Sequence, residues 1–137
     1  LLGYDILDQD GQHSSFFSSC VQAADYIEIQ GFSKEQINIG FPFYGTWEGG
    51  RMEQYAYNAI SEEISPFNNF YTMKKSDTKE DRYTYFNSQA IIRDKTAYAY
   101  LKGYGGVMIF SQYCDLPSDD ERSLTKAISD YLQEVTK

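Results

Sequence analysis

Three carboxylates and two amides stand close together near the start of the chain, in Asp5-Ile6-Leu7-Asp8-Gln9-Asp10-Gly11-Gln12. Carboxylates so spaced do acid–base work or hold a hard cation. Neither reading suits this stretch. Gln12 carries an amide that does not titrate usefully, and the series is too short for a calcium loop. Gln9 and Gly11 make it a turn, because a strand would alternate polar with apolar residues. His13 is the sole histidine, and Cys20 and Cys114 lie too far apart for a metal-ligand spacing. No metal and no other cofactor is expected. A Cys20–Cys114 disulfide stays open as a reading, and two unrelated buried thiols are the favoured one.

The aromatic side chains are the second chemical resource. They make up 17% of the chain, with 13 Tyr and 9 Phe. Flat rings pack in cores, and they also stack on the CH-rich faces of sugars. The formal net charge of -8 repels phosphate backbones and anionic headgroups, so neither nucleic acid nor a membrane is an expected partner. A neutral ligand is readily accommodated. No apolar run approaches membrane-spanning length, and no signal peptide is recognisable. The start at Leu1 rather than Met points to processing or to a shortened chain.

A chain of 137 residues has the length of one domain. Leu1-Leu2-Gly3-Tyr4 reads as the end of a buried strand, and Ser14 or Ser15 is placed to cap a helix carrying Phe17, Cys20, Val21, Ala24 and Ile27 on one face and closing at Gly31. Ile37 to Phe41 is a short apolar strand closed by Pro42. Strand, helix, strand is the unit of parallel sheets. From about 46 to 82 the pattern is irregular, with one or two short helices expected between Met52 and Ile64, an exposed charged loop from Lys74 to Asp81, and a brief strand at Tyr83 to Phe86. A helix over Ser88 to Lys102 ends at Gly103, and Gly105 to Phe110 reads as another buried strand. In the last helix Leu124, Ala127, Ile128, Tyr131, Leu132 and Val135 share one face, with Ser118 the expected cap and Asp119, Asp120 and Glu121 at the positive end of the dipole.

Three segments resemble family 18 glycoside hydrolases, the chitinase group, in the right order. Leu2-Gly3-Tyr4-Asp5 is similar to the Met-x-Tyr-Asp motif that closes the sixth strand of that family's barrel. Ile37 to Gly45 resembles the seventh strand running into Gly-x-Pro-x-Tyr-Gly. Tyr104 to Phe110 resembles the eighth strand, Gly-Gly-x-Met-x-Trp, and Ile92 to Tyr98 the helix before it. The resemblance implies an α/β fold: the C-terminal portion, strands six to eight with their helices, of a (β/α)8 TIM barrel. A whole barrel needs about 250 residues. On this reading residues 1–137 are a fragment of a catalytic barrel, or one piece of a two-chain assembly, without the fourth strand and its acidic Glu. Open sheet edges then invite self-association or pairing with the missing barrel part.

By the same resemblance the parent enzyme hydrolyses β-1,4 links between N-acetylglucosamine units with retention, the substrate's acetamido oxygen attacking the anomeric carbon. Tyr4 would hold that acetamido group, and Asp5 would bind sugar hydroxyls. Phe110 stands where the family has a Trp under the reacting sugar, and keeps an apolar face without the N–H donor. Tyr44 would line the cleft wall and Trp47 would offer a stacking platform, with Gln112, Tyr113 and Asp115 on the same rim. Thr46 follows Tyr44-Gly45 where many members have Arg. His13-Ser14-Ser15 is similar to a loop-to-helix transition of the family, which gives His13 a structural role. The expected ligand is an N-acetylglucosamine oligo- or polysaccharide, met outside the cell by a secreted or cell-surface protein. An inactive chitinase-like lectin, keeping the cleft but not the chemistry, is the alternative. The short insert implies a shallow groove.

Overall fold

The computed structural model describes residues 6–7, 13–14, 17–47, 50–60, 65–74 and 81–137, with the backbone alone at 6–7, 13–14, 47, 50–54, 70–74 and 81–83. Tyr4 and Asp5, and the turn expected at 8–11, lie outside them. Strand β1 (Ile6–Leu7) pairs antiparallel with β2 (His13–Ser14), Ile6 opposite Ser14. Helix α1 (Phe17–Ile29) buries Cys20 and Ala24, one turn apart on the expected face. It ends where Gly31 takes a φ of 92°, a conformation open to glycine at little cost, and its N–H donates to the Glu28 carbonyl.

After a 3-10 turn at Lys34–Gln36 the chain enters β3 (Asn38–Pro42), which pairs in parallel with β8 (Gly106–Phe110). The register sets Ile39 opposite Val107 and Phe41 opposite Ile109, so these four share one face, turned to the core. Asn38, Gly40 and Pro42, opposite Gly106, Met108 and Phe110, form the other face. The crossover between the two strands enters through Gly105. Its N–H donates to the carbonyls of Lys34 and Ile37, and a Cβ there would sit 2.2 Å from the Glu35 carbonyl oxygen. Only glycine lets the two backbones approach so closely.

The segment between them is more ordered than its sequence pattern. Strands β4 (Tyr44–Trp47), β5 (Gly50–Ala56), β6 (Phe70–Lys74) and β7 (Asp81–Tyr85) form one antiparallel sheet in the order β5-β4-β7-β6. Among the described residues of the stretch where one or two helices were expected, Tyr57–Ile60 forms a helical turn, α2, and the part before it is strand. The brief strand expected at Tyr83 to Phe86 corresponds to β7, whereas β4, β5 and β6 were not expected; β4 also pairs with β7 far along the chain and is interrupted by a register shift between Thr46 and Trp47. Gly45 permits the sheet to close, since a Cβ would stand 2.5 Å from Thr84 Cγ2.

Helix α3 (Gln89–Lys102) opens with the Ser88 side chain accepting from the Ile91 N–H and closes at Gly103 in the left-handed conformation, as the sequence predicts. Helix α4 (Leu124–Val135) is capped by Ser123 rather than Ser118. The acidic run before it forms a turn instead of the first helical turn, with Asp120 paired to Arg122. Helices α3 and α4 pack side by side. The core gathers Ile37, Ile39, Phe41, Phe43, Ile92, Ala99, Leu124 and Ile128 between the helices and the parallel strands. Both cysteines are free thiols, Cys20 buried and Cys114 half-buried. Among the described residues no helix is long and apolar enough to cross a membrane.

Lys95 departs from the apolar face of α3. It is fully buried, and its Nζ donates to Asn87 Oδ1 at 2.6 Å. Burial pushes its ammonium down to about 8, against a smaller opposing effect of Cys20. The unfolded chain, with an ordinary value of 10.5, therefore holds this proton more tightly. Lys95 lowers stability in full below pH 8, and that penalty fades as the pH rises toward 10.5. Thermal melts of wild type and Lys95→Met at pH 7.5 and pH 10 should show the variant's relative advantage shrinking at the higher pH. A difference that stays constant would exclude the linkage.

Candidate active site

At the C-terminal ends of β3 and β8, Pro42 stands opposite Phe110, and the Phe43 N–H donates to the Phe110 carbonyl at 2.8 Å. The chain passes through buried Phe43 straight into β4, so Tyr44 rises beside the end of the neighbouring strand. The Tyr44 and Phe110 rings meet edge to face, with centroids 6.3 Å apart and planes at 84°. Tyr44 is 4% exposed, whereas Phe110 is 52% exposed, so one ring is the support and the other presents a face. Met108, next along the same side of β8, is also exposed. The Phe110–Ser111 peptide bond is cis.

Beyond Phe110 the rim is a 3-10 turn at Gln112–Cys114. Gln112 is exposed there, and Tyr113 is 94% exposed. Asp115 corrects an expectation: it does not line the rim as a sugar contact. Its buried carboxylate accepts from the Leu116 and Leu124 N–H groups with one oxygen, and from Thr125 N–H and Ser123 Oγ with the other. It thereby ties the turn to the positive end of α4. Thr46 is buried in the antiparallel sheet, opposite Gln54 and Tyr85. The Trp47 backbone lies at the end of β4, opposite Gly50 and Thr84; its side chain is outside the description.

Two residues of α2 that the sequence did not single out brace this rim. Asn58 Nδ2 donates to the carbonyls of Tyr113 and Asp115, and the Tyr57 hydroxyl donates to the Arg122 carbonyl at 2.8 Å. Burial pushes the Tyr57 phenol up to about 12, with the Asp115 charge adding to it. Their signal in the sequence is nil, since each bond bridges more than fifty positions. Among the described residues no cluster of His, Cys, Asp or Glu is arranged to hold a metal ion.

Adjacent parallel strands backed by helices, with aromatic rings at their C-terminal ends, define part of a (β/α)8 barrel and the rim where such barrels keep their sites. Residues 2–115 match the model of glycosyl hydrolases family 18, and the chain belongs to that family. Solved structures agree on the fold. A family 18 chitinase from the chitin utilization locus of Flavobacterium johnsoniae is 24% identical, with a TM-score of 0.72 over 97% of this chain and 41% of its own. A chitinase from Bacteroides thetaiotaomicron is 22% identical, with a TM-score of 0.73 over 96% of this chain and 44% of its own. Catalytic domain 2 of the Group II chitinase of Ostrinia furnacalis, a mutant of which is solved with penta-N-acetylchitooctaose, is 16% identical, with a TM-score of 0.63 over 93% and 41%. The chain thus spans about two-fifths of the length of these structures. No curated protein sequence matches it.

Proposed function

We propose that this chain supplies the last part of the substrate cleft of a chitinase-like glycosidase, which cleaves β-1,4-linked N-acetylglucosamine polymers with retention of configuration. The observation that carries the reading is the Tyr44–Phe110 pair at the ends of two adjacent parallel strands, with the Phe110 ring half open. A pyranose laid on that ring desolvates its CH face and the aromatic face together. Tyr44 holds the ring from the side and leaves its outer face to the sugar. Tyr4 would then hold the acetamido group for attack by its carbonyl oxygen on the anomeric carbon, with Asp5 on neighbouring hydroxyls. The carboxylic acid that protonates the leaving oxygen belongs to another part of the barrel. Polymeric chitin lies outside cells, so the protein is proposed to act as a secreted or cell-surface enzyme. Gln112 and Trp47 are proposed as further sugar contacts from the same rim.

Comparison of the whole protein with its Tyr4→Phe variant on a soluble chitooligosaccharide tests this. Loss of one hydroxyl that orients the attacking group should lower kcat about tenfold, with KM little changed. Equal rates would remove Tyr4 from the site. One feature favours the lectin reading, namely Phe110 in place of the family's Trp. That reading expects wild type to bind the oligosaccharide and release no product.

A further inference from the structure

A groove of about 290 Å³ lies on the outside of the fold, between α3, α4 and the loop that precedes β6. Its walls join an aromatic ring to small and charged side chains. Phe67 is 76% exposed, Ala90 and Ala127 form a shallow apolar floor, and Arg93, Asp94 and Asp130 stand along the sides. The parts are held in place. The Ala90 N–H donates to the Pro66 carbonyl and the Asn68 N–H to the Ser65 carbonyl, which fixes the turn bearing Phe67 at the start of α3. Arg93 is bound by Glu134 and lies 5.3 Å from the Tyr131 ring centre. Lys126 pairs with Asp130 at 2.7 Å.

The residues that line the groove come from α3, α4 and the loop before β6 of this chain. The groove also shares the orientation of the cleft. Helix α3 leads through Gly103 to the beginning of β8 and therefore runs opposite to it, and α4 starts after β8 has ended. The N-terminal ends of both helices, where the groove lies, are on the side of Phe110.

We propose that this groove is a second saccharide site, which holds a neighbouring stretch of the same amino-sugar polymer while the cleft works on another. The inference rests on the proposed function for the identity of the polymer. An exposed ring over a floor of alanines accepts the CH face of a pyranose, and carboxylates beside it accept from its hydroxyls. A groove of this size holds one or two sugar units, not a folded partner. The chain's net charge of -8 disfavours anionic ligands.

Adsorption of the whole protein to insoluble chitin, measured in a Phe110→Ala background that removes the proposed stacking face of the cleft, isolates this site. Phe67→Ala should weaken that residual adsorption about tenfold and, in wild type, leave kcat/KM on the soluble substrate unchanged, as the ring is exposed and lies in the groove and not beside Phe110. Asp94→Asn should weaken adsorption less. Residual adsorption equal with and without Phe67→Ala in that background overturns the proposal. So does adsorption abolished by 0.5 M salt, which identifies a basic partner held by Asp94 and Asp130 through charge alone. Wild type that neither cleaves nor binds the soluble oligosaccharide refutes the functional reading itself, and the second site with it.

Discussion

Phe110→Ala is expected to lower kcat/KM for soluble chitooligosaccharides about 100-fold, and Phe110→Trp to retain or raise it. The ring is the half-open member of the pair formed with Tyr44, so truncation removes the proposed stacking surface for the sugar without disturbing the core. A hundredfold loss corresponds to about 2.7 kcal/mol of transition-state binding, in the range expected when a buried aromatic contact is deleted together with the positioning it provides. The loss should fall on kcat as well as KM, since a sugar that rocks on a missing floor no longer presents its anomeric carbon to the acetamido oxygen. The Trp variant restores a larger face and adds an N–H donor. Steady-state kinetics on a defined oligosaccharide, with circular dichroism to confirm that Phe110→Ala is folded, decide the matter. An Ala variant within twofold of wild type would exclude Phe110 as the floor of the cleft.

Asp115→Ala is expected to lower the stability of the fold by about 3 kcal/mol. Four donors converge on this one buried carboxylate, from Leu116, Ser123, Leu124 and Thr125. Each would be left inside the protein without an acceptor, and hydrogen bonds to a charged group are worth more than neutral ones. Asp115→Asn should cost less, because the amide keeps one accepting oxygen, but it turns a donor toward one of the two donor pairs. Urea unfolding should show a lowered midpoint at unchanged slope, in the order wild type, Asn, Ala. Activity in the folded fraction should change little, since Asp115 faces α4 and not the cleft. If the Ala variant unfolds with wild type, the carboxylate is not the cap described.

The error over Asp115 shows where sequence reasoning stops. Five positions after Phe110, on a rim, an acidic residue reads equally well as a sugar ligand or as a cap. Its burial and its four donors identify it as a cap, and those donors come partly from a helix that begins nine residues later. Ser118 lost the capping role for the same reason, because Ser123 is the residue that reaches a free N–H of α4. Of the antiparallel insert only the strand near Tyr83 was expected, and no local period reports that β4 pairs with β7 across the intervening chain.

Local pattern did carry much of the rest. The apolar runs at β3 and β8, the faces of α1, α3 and α4, and the glycines that end two of those helices are set by side-chain period and by backbone conformations that glycine alone adopts cheaply. They are properties of neighbouring residues, so the sequence by itself determined them. It also determined the family, because motif residues keep their order along the chain. Only the tertiary structure decided that Tyr44 supports the ring and Phe110 presents it, that Asn58 and Tyr57 brace the rim, and that Phe67 lines a groove between two helices. Those relations join residues far apart in the chain, and burial, the quantity that separates a packing residue from a binding one, exists only once the chain has closed on itself.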